Sequence, residues 1–376
     1  MRQKRLYLPI FLLTAALYLS GGLEPIEGEL MDARFRLVQR PANDDLVLVA
    51  IDAKSLRELG VRPWPRDYHA AVLERLDSAG ARVIAFDVAF DSSSDPEADE
   101  RLEQALAATE KHVILPVYEH WRRADGKAPR LVRTEPLPRF RQHATLATVN
   151  VRPEADGLVR RMPMRRAWKD TAVPGLAAEL ADQQYPLRNA YYVDYGIDVA
   201  SVARLSFVDV LAGNFDPGML AGKAVMVGAI GLGDRVPVPL YETLPGTLLR
   251  ALAYQSLVQG RALYRVGAIP ILVGVLVLAW FLGPRFRDWS WRRGLGAMAL
   301  CIAGLALLAL AAHALAPVIL DTSPWALTLL LSYGACLVSR IDRQAVHLFV
   351  RRAGFRRRHA VLRAVVEQPR WNPGHR

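Results

Sequence analysis

Four apolar, almost uncharged stretches constrain this 376-residue chain more than any other feature: Leu6–Leu23 at its start, then Val266–Gly283, Gly294–Ala316 and Ser323–Val338. A helix that crosses a bilayer needs roughly 20 mostly apolar residues. Each stretch therefore reads as a span, the last a short one. About 240 residues of ordinary globular sequence separate the first stretch from the second. That region is tethered at both ends and held on one side of a membrane. Ser20 and Gly22 are small enough to precede a cleavage site. The long apolar run without a clear Ala-x-Ala favours an uncut anchor over a cleaved signal peptide, and either reading exports the globular region.

Charge indicates the side. The chain holds 48 Lys and Arg against 37 Asp and Glu, a net +11. Met1–Arg5 carries +3, Pro284–Arg293 another +3, and Ser339–Arg376 carries +8 through ten Arg against Asp342 and Glu367. These segments total +14 and leave −3 for the rest. Four spans place all three on one face, and the globular region with the Ala316–Thr322 turn on the other. Short loops rich in Lys and Arg stay cytoplasmic, so the globular region is expected outside the cytoplasm with both termini inside. A basic chain invites a nucleic-acid reading. Topology accounts for the charge here, and the bilayer, not nucleic acid, is the expected partner.

The expected domains are an N-terminal stub and span (1–23), an exported domain (24–265), three spans (266–338) and a basic cytoplasmic tail (339–376). Both cysteines, Cys301 and Cys336, fall inside spans. The exported domain thus has no disulfide framework and no thiolate metal site, and it must stand on its hydrophobic core, for which its length suffices.

Pro25–Gln39 is amphipathic and reads as a helix leaving the membrane. Leu46–Ile51 (LVLVAI) is continuously apolar, as in a strand covered on both faces. Tyr68–Ala79 reads as a helix stopped by Gly80, and Arg82–Phe90 as the next strand. Asp95 caps a helix with Pro96 at its first position, and His112–Tyr118 is a third strand. Strand, helix, strand, helix, strand at this spacing implies an α/β domain with a largely parallel sheet flanked by helices. Further on, Ala147–Val151 and Leu158–Met164 resemble a hairpin. Gly175–Asp182 reads as a helix, Ser206 as the cap of Phe207–Ala212, Lys223–Ile230 as a buried strand and Pro245–Gly260 as a helix leading to the second span.

Several pieces resemble the CHASE2 family of extracytoplasmic sensory domains of bacterial signalling proteins. They are MDARFRL (31–37), LVLVAIDAKSLRELG (46–60), RPWPRDYHAAVLERLDSAGARVIAFDVAF (62–90), the DG-VRR stretch at 156–161, VDVLAGNFDPGMLAGKAVMVGAIGLGDRVPVP (208–239) and the PG at 245–246. Two departures stand out: Ala53 where the family usually has a second acid after Asp52, and PGTLLRALAY (245–254) without the usual His-Ala-Asn pattern. The resemblance implies a multi-pass protein of the bacterial inner membrane. In that family a cyclase or kinase output domain usually follows the third span. The 38 residues after Val338 are expected to hold none.

Asp52 and Asp87 end the first two apolar strands, and ligands sit at the carboxyl edge of an open parallel sheet. With Arg66 from the WPRD turn, they form a candidate site for a polar or cationic ligand. The alternative is that each Asp caps its following turn and Arg66 neutralises them. If the two strands are adjacent, at about 4.8 Å spacing, the three residues lie within ~10 Å. Asp91 adds an acid in exposed SSSD sequence. GAIGLGD offers Gly228, Gly231 and Gly233 after a strand, but VPVP comes next where a phosphate-binding loop needs a helix, so a tight structural loop is expected. GMLAGK is one residue short of a P-loop and precedes a strand. The eight His show no metal-ligand spacing, and no Gly-x-Ser-x-Gly is present. His313 sits within a span near its outer end. No cofactor, no metal and no enzymatic activity are expected.

Leu348, Phe355 and Leu362 recur every seven residues in the basic tail. They suggest either a helix lying on anionic lipid or a short signalling helix that pairs with a cytoplasmic output protein or its own copy. The combined expectation is a membrane-anchored sensor whose exported domain binds a small ligand or an envelope partner and passes a shift through the C-terminal helices. A structural or assembly protein whose exported domain binds another envelope protein is the alternative.

Overall fold

The computed structural model of the chain describes residues 7–60, 63–122, 129–168, 171–182, 189–231 and 235–340. Two compact units emerge. One comprises Pro25–Val266 together with Ala309–Leu320. Among the described residues, the other gathers 7–24, 267–308 and 321–340. The heptad positions of the tail lie outside the described residues, as do Gly233 and its neighbours in GAIGLGD.

The first unit is built on β1 (Leu46–Ile51), β2 (Val83–Asp87), β3 (His112–Arg122), β4 (Arg130–Thr134), β5 (Thr145–Thr148), β6 (Ala203–Ser206) and β7 (Ala224–Ala229). Their order is β6-β1-β7-β2-β3, with β4 and β5 both paired to β3. Every pairing is parallel except that of β4, which runs antiparallel to the far half of β3. The helices of five or more residues with both ends described are α1 (Tyr7–Leu19), α2 (Glu24–Leu37), α3 (Ala53–Leu59), α4 (Arg66–Ser78), α5 (Pro96–Ala108), α6 (Leu176–Leu180), α7 (Phe207–Ala212), α8 (Gly246–Val258), α9 (Ala268–Asp288) and α10 (Trp291–Leu315).

The apolar runs of β1, β2 and β7 result from helices on both faces. Leu46, Leu48, Ala50, Val83, Ala85 and Met226 pack into one core with Phe35 of α2, Leu176 of α6 and Leu249 of α8. Val47, Val49, Ile51, Ile84, Phe86 and Val227 pack into the other with Leu73 of α4, Leu102 of α5 and Phe207 of α7. Local signals set the helix ends. The Asp95 carboxylate accepts from the backbone N–H of Glu97 and Ala98 ahead of Pro96. Gly80 takes a left-handed φ of 77° after α4, a conformation that side-chain-bearing residues rarely adopt.

The structure corrects three expectations. Thr145–Thr148 pairs parallel with β3, and Arg161–Pro163 pairs antiparallel with Ala190–Tyr192, so they form no hairpin with each other. β1 and β2 are not neighbours, because β7 lies between them. Ser206 stands at the N-cap of α7 without a side-chain capping bond, and its hydroxyl turns to Asp52 instead. The short helix α3 and edge strand β6 carry too few apolar residues to announce themselves in the sequence.

The segment Ala309–Leu320 is built into this unit by two ties. Val318–Ile319 adds a parallel strand beside Tyr264–Arg265. Arg261 donates to the carbonyl of His313 and, through Nε at 3.0 Å, to Asp194, which is fully buried. Arg40 Nε stands 3.7 Å from the same carboxylate, whose other oxygen accepts the Gly196 N–H.

In the other unit, α9 (21 residues, hydropathy 1.9) and α10 (25 residues, hydropathy 2.4) are long and apolar enough to cross a membrane. Residues 323–340 are also helical. The expected first span is shortened, since α1 stops at Leu19 before Gly21, whose φ is 79°. Tyr18 donates to Asp321 at 2.7 Å, and Trp325 Nε1 donates to the Ile271 carbonyl at 2.8 Å. A Cβ on Gly274 would lie 2.5 Å from that indole nitrogen.

Arg261→Met is expected to lower stability by about 3–5 kcal/mol, because it strands a buried carboxylate. Adding Asp194→Asn should restore part of the loss. Equal unfolding midpoints for wild type and the single variant of the purified protein would refute this.

Candidate functional site

The carboxyl edge of the sheet gathers Asp52 after β1, Gly228 near the end of β7 and Asp87 at the end of β2. Asp52 has an extended backbone and caps α3. Its Oδ1 accepts from the Ser55 N–H at 2.8 Å, the Ser55 hydroxyl at 2.9 Å and the Ser206 hydroxyl at 2.9 Å. Burial alone would raise its pKa. The Ser55 and Ser206 hydrogen bonds outweigh that and hold the carboxyl below the usual carboxylate range.

Asp87 is bound differently. Its Oδ2 accepts from the Thr247 hydroxyl at 2.6 Å and from Arg250 Nη1 at 2.8 Å. Arg250 also donates to the Val149 carbonyl at 3.0 Å. One guanidinium thus joins the end of β2, the exit from β5 and the first turns of α8. The fit requires glycine at 228, since a Cβ there would lie 2.6 Å from the Thr247 hydroxyl oxygen and 3.0 Å from Asp87 Cβ.

Arg66 opens α4 and faces the loop after β2. It donates to the carbonyls of Ala89 at 3.1 Å and Ser92 at 3.3 Å. Its guanidinium lies 4.8 Å from the Phe90 ring centre, and its Nε is 3.9 Å from Asp99. Burial lowers its pKa, with Asp99 and Asp91 opposing. Asp52, Arg66 and Asp87 are each committed to their own partners. Among the described residues, no hydrogen bond or ion pair joins any two of them. The bonds to Asp52 all fall on Oδ1 and those to Asp87 on Oδ2, so one oxygen of each carboxylate is held by the fold.

Sequence reasoning missed Thr247 and Arg250, the groups that hold Asp87. The only signal was the departure from His-Ala-Asn in that stretch, where Arg250 now supplies a long donor. It also missed a junction between two of the resembling motifs. Arg160 of DG-VRR is buried, donates to Asp156 at 2.6 Å, and lies 3.9 Å from Asp32 of MDARFRL. Burial would lower the Arg160 pKa, but Asp156, Asp32 and Glu154 raise it. Asp32 is raised, chiefly by burial, against the pull of Arg160. Among the described residues, no group of three or more His, Cys, Asp or Glu is placed to hold a metal ion.

With this geometry in view, the family is clear. The CHASE2 domain model matches residues 10–284, and the chain belongs to the CHASE2 family, whose domains are extracytoplasmic and sensory. Among curated proteins no match is found, and none among solved structures.

The Asp52 and Gly228 contacts can each be tested by one substitution. Asp52→Ala should cost about 1–2 kcal/mol at neutral pH. Because the folded pKa of Asp52 is depressed, its contribution is full above the ordinary value of 3.8 and is lost as pH falls below it. The unfolding midpoints of wild type and variant should converge there, and a gap that persists in acid would contradict the assignment. Gly228→Ala should cost about 1–3 kcal/mol by overpacking Thr247, read from the same unfolding curves.

Proposed function

We propose that the chain is a membrane-anchored sensor. Its exported domain, bearing the carboxyl edge with Asp52, Arg66 and Asp87, receives a small ligand or an envelope partner. The domain then relays a shift through the membrane helices to a partner on the cytoplasmic side. This reading assigns no catalytic step and no cofactor to the domain. Four spans would place Pro25–Val266 and Ala309–Leu320 outside and the basic segments inside, as the positive-inside bias favours.

One observation carries the proposal. The chain passes between its two units four times, at Glu24–Pro25, Val266–Gly267, Leu308–Ala309 and Leu320–Asp321. The last turn of α10 and the turn after it pack in the same compact unit as Pro25–Val266, bonded through Arg261 and the Val318–Ile319 strand. A rearrangement around Asp194 is therefore felt by the last turn of α10 with no further element in between. The same observation is compatible with an assembly protein that uses the domain as a docking body, and the tests separate the two.

Alkaline phosphatase fused after Glu135 should be active, and fused after Trp289 inactive; activity at Trp289 would overturn the topology. In a background with Cys301 and Cys336 replaced by Ser, spin labels at positions 289 and 340 should change separation when periplasmic extract is added to the full-length protein. No change with any extract, together with high-yield cross-linking to one envelope protein, would favour the assembly reading.

A further inference from the structure

Beyond the carboxyl end of β5 the chain forms a half-open cleft of about 670 Å³. Its walls carry Arg152, Arg161, Arg165 and Arg166, with Asn150 and Asn189, and no acidic residue lines it among the described residues. We propose that this cleft binds a small dianionic oxyanion, a dicarboxylate or a phosphate monoester, and that this is the ligand class the exported domain receives. The consequence of binding rests on the sensory reading; the binding itself does not.

Charge counting sets the valence. Arg161 Nε pairs with Glu154 at 2.9 Å, and Arg166 Nε lies 2.6 Å from Glu119. Both acids are outside the lining, so two of the four charges are compensated from behind. Arg152 and Arg165 are exposed and have no acidic partner among the described residues. Two positive charges are left facing the cleft, in a chain whose residues outside the three basic segments sum to −3.

The cleft is also preorganised. Asn150 accepts the Glu119 N–H at 2.7 Å and donates to the Glu119 carbonyl at 2.6 Å. This fixes Glu119, whose side chain is 4% exposed, and through it Arg166. Arg161 is stacked on Tyr192 at 5.6 Å. Both held arginines are engaged through Nε, which leaves their terminal Nη groups without protein hydrogen bonds among the described residues. A planar guanidinium fork with free Nη groups matches the paired oxygens of a carboxylate or phosphate. The position agrees with the general rule that ligands sit beyond the carboxyl ends of parallel strands. Asn150 and Arg152 leave β5 at that end, and Gly175, after the Arg165–Trp168 and Thr171–Pro174 hairpin, bridges to Thr148.

The test is calorimetric titration of the full-length protein in detergent with sodium succinate and, separately, inorganic phosphate, at about 20 mM salt so that screening is weak. Acetate serves as the monoanion control. At least one dianion should bind saturably and at least tenfold more tightly than acetate. Succinate alone marks a dicarboxylate site, and phosphate alone a phosphate site. The Arg152→Gln, Arg165→Gln double variant should weaken binding at least tenfold with its unfolding midpoint unchanged, since both residues are exposed. Absence of saturable binding by either dianion, or equal affinity in the double variant, would overturn the proposal. Either result would leave the topology and label-separation measurements standing as independent tests of the sensory reading.

Discussion

A fully buried carboxylate, Asp194, governs how separate segments of the α/β unit are held together. An unpaired charge in such a site costs several kcal/mol, so the fold must bring donors to it. Arg261 comes from just beyond α8, Arg40 from beyond α2, and the Gly196 N–H from the adjacent turn. Arg261 also donates to the His313 carbonyl at the end of α10, where helix geometry leaves acceptors without intrahelical partners. His313 also packs edge-on against Phe35 of α2, with ring centres 5.2 Å apart. One electrostatic requirement therefore fixes α2, α8 and the last turn of α10 together.

The carboxylates at the sheet edge obey the same logic on a smaller scale. Asp52 satisfies the open end of α3, and Asp87 anchors the start of α8 through Thr247 and Arg250. Asp32 and Asp156 meet at Arg160. In each case residues that mark the family hold a loop or a helix end in place. This suits a receiving domain, in which the positions of loops carry the information. It also separates the pinned carboxyl edge beside β7 from the arginine-lined cleft past β5, whose donors are held in place but not used up.

Much of the fold was legible because its determinants are local or periodic. Leu46–Ile51 appears with the bounds expected from its unbroken apolar run, a pattern that only burial on both faces produces. Asp95–Pro96 and Gly80 marked helix ends because capping and left-handed turns depend on the residues at those positions alone. The edge strand β6 (ARLS) and the short helix α3 were illegible for the opposite reason. Their residues gain strand or helix geometry from the neighbours they pair with, not from their own pattern.

The sequence by itself determined that this chain joins an α/β domain with two-sided strands to apolar helices long enough to cross a membrane, and which family it belongs to. Both conclusions rest on composition and motif order, which survive without coordinates. Only the tertiary structure decided that β7 inserts between β1 and β2, so that Asp52, Arg66 and Asp87 keep separate partners. It likewise decided that Ala309–Leu320 packs in one compact unit with Pro25–Val266, and that four arginines spread from 152 to 166 line one cleft. Those outcomes depend on strand order and on ion pairs between residues as far apart as Asp194 and Arg261, and no local pattern encodes either.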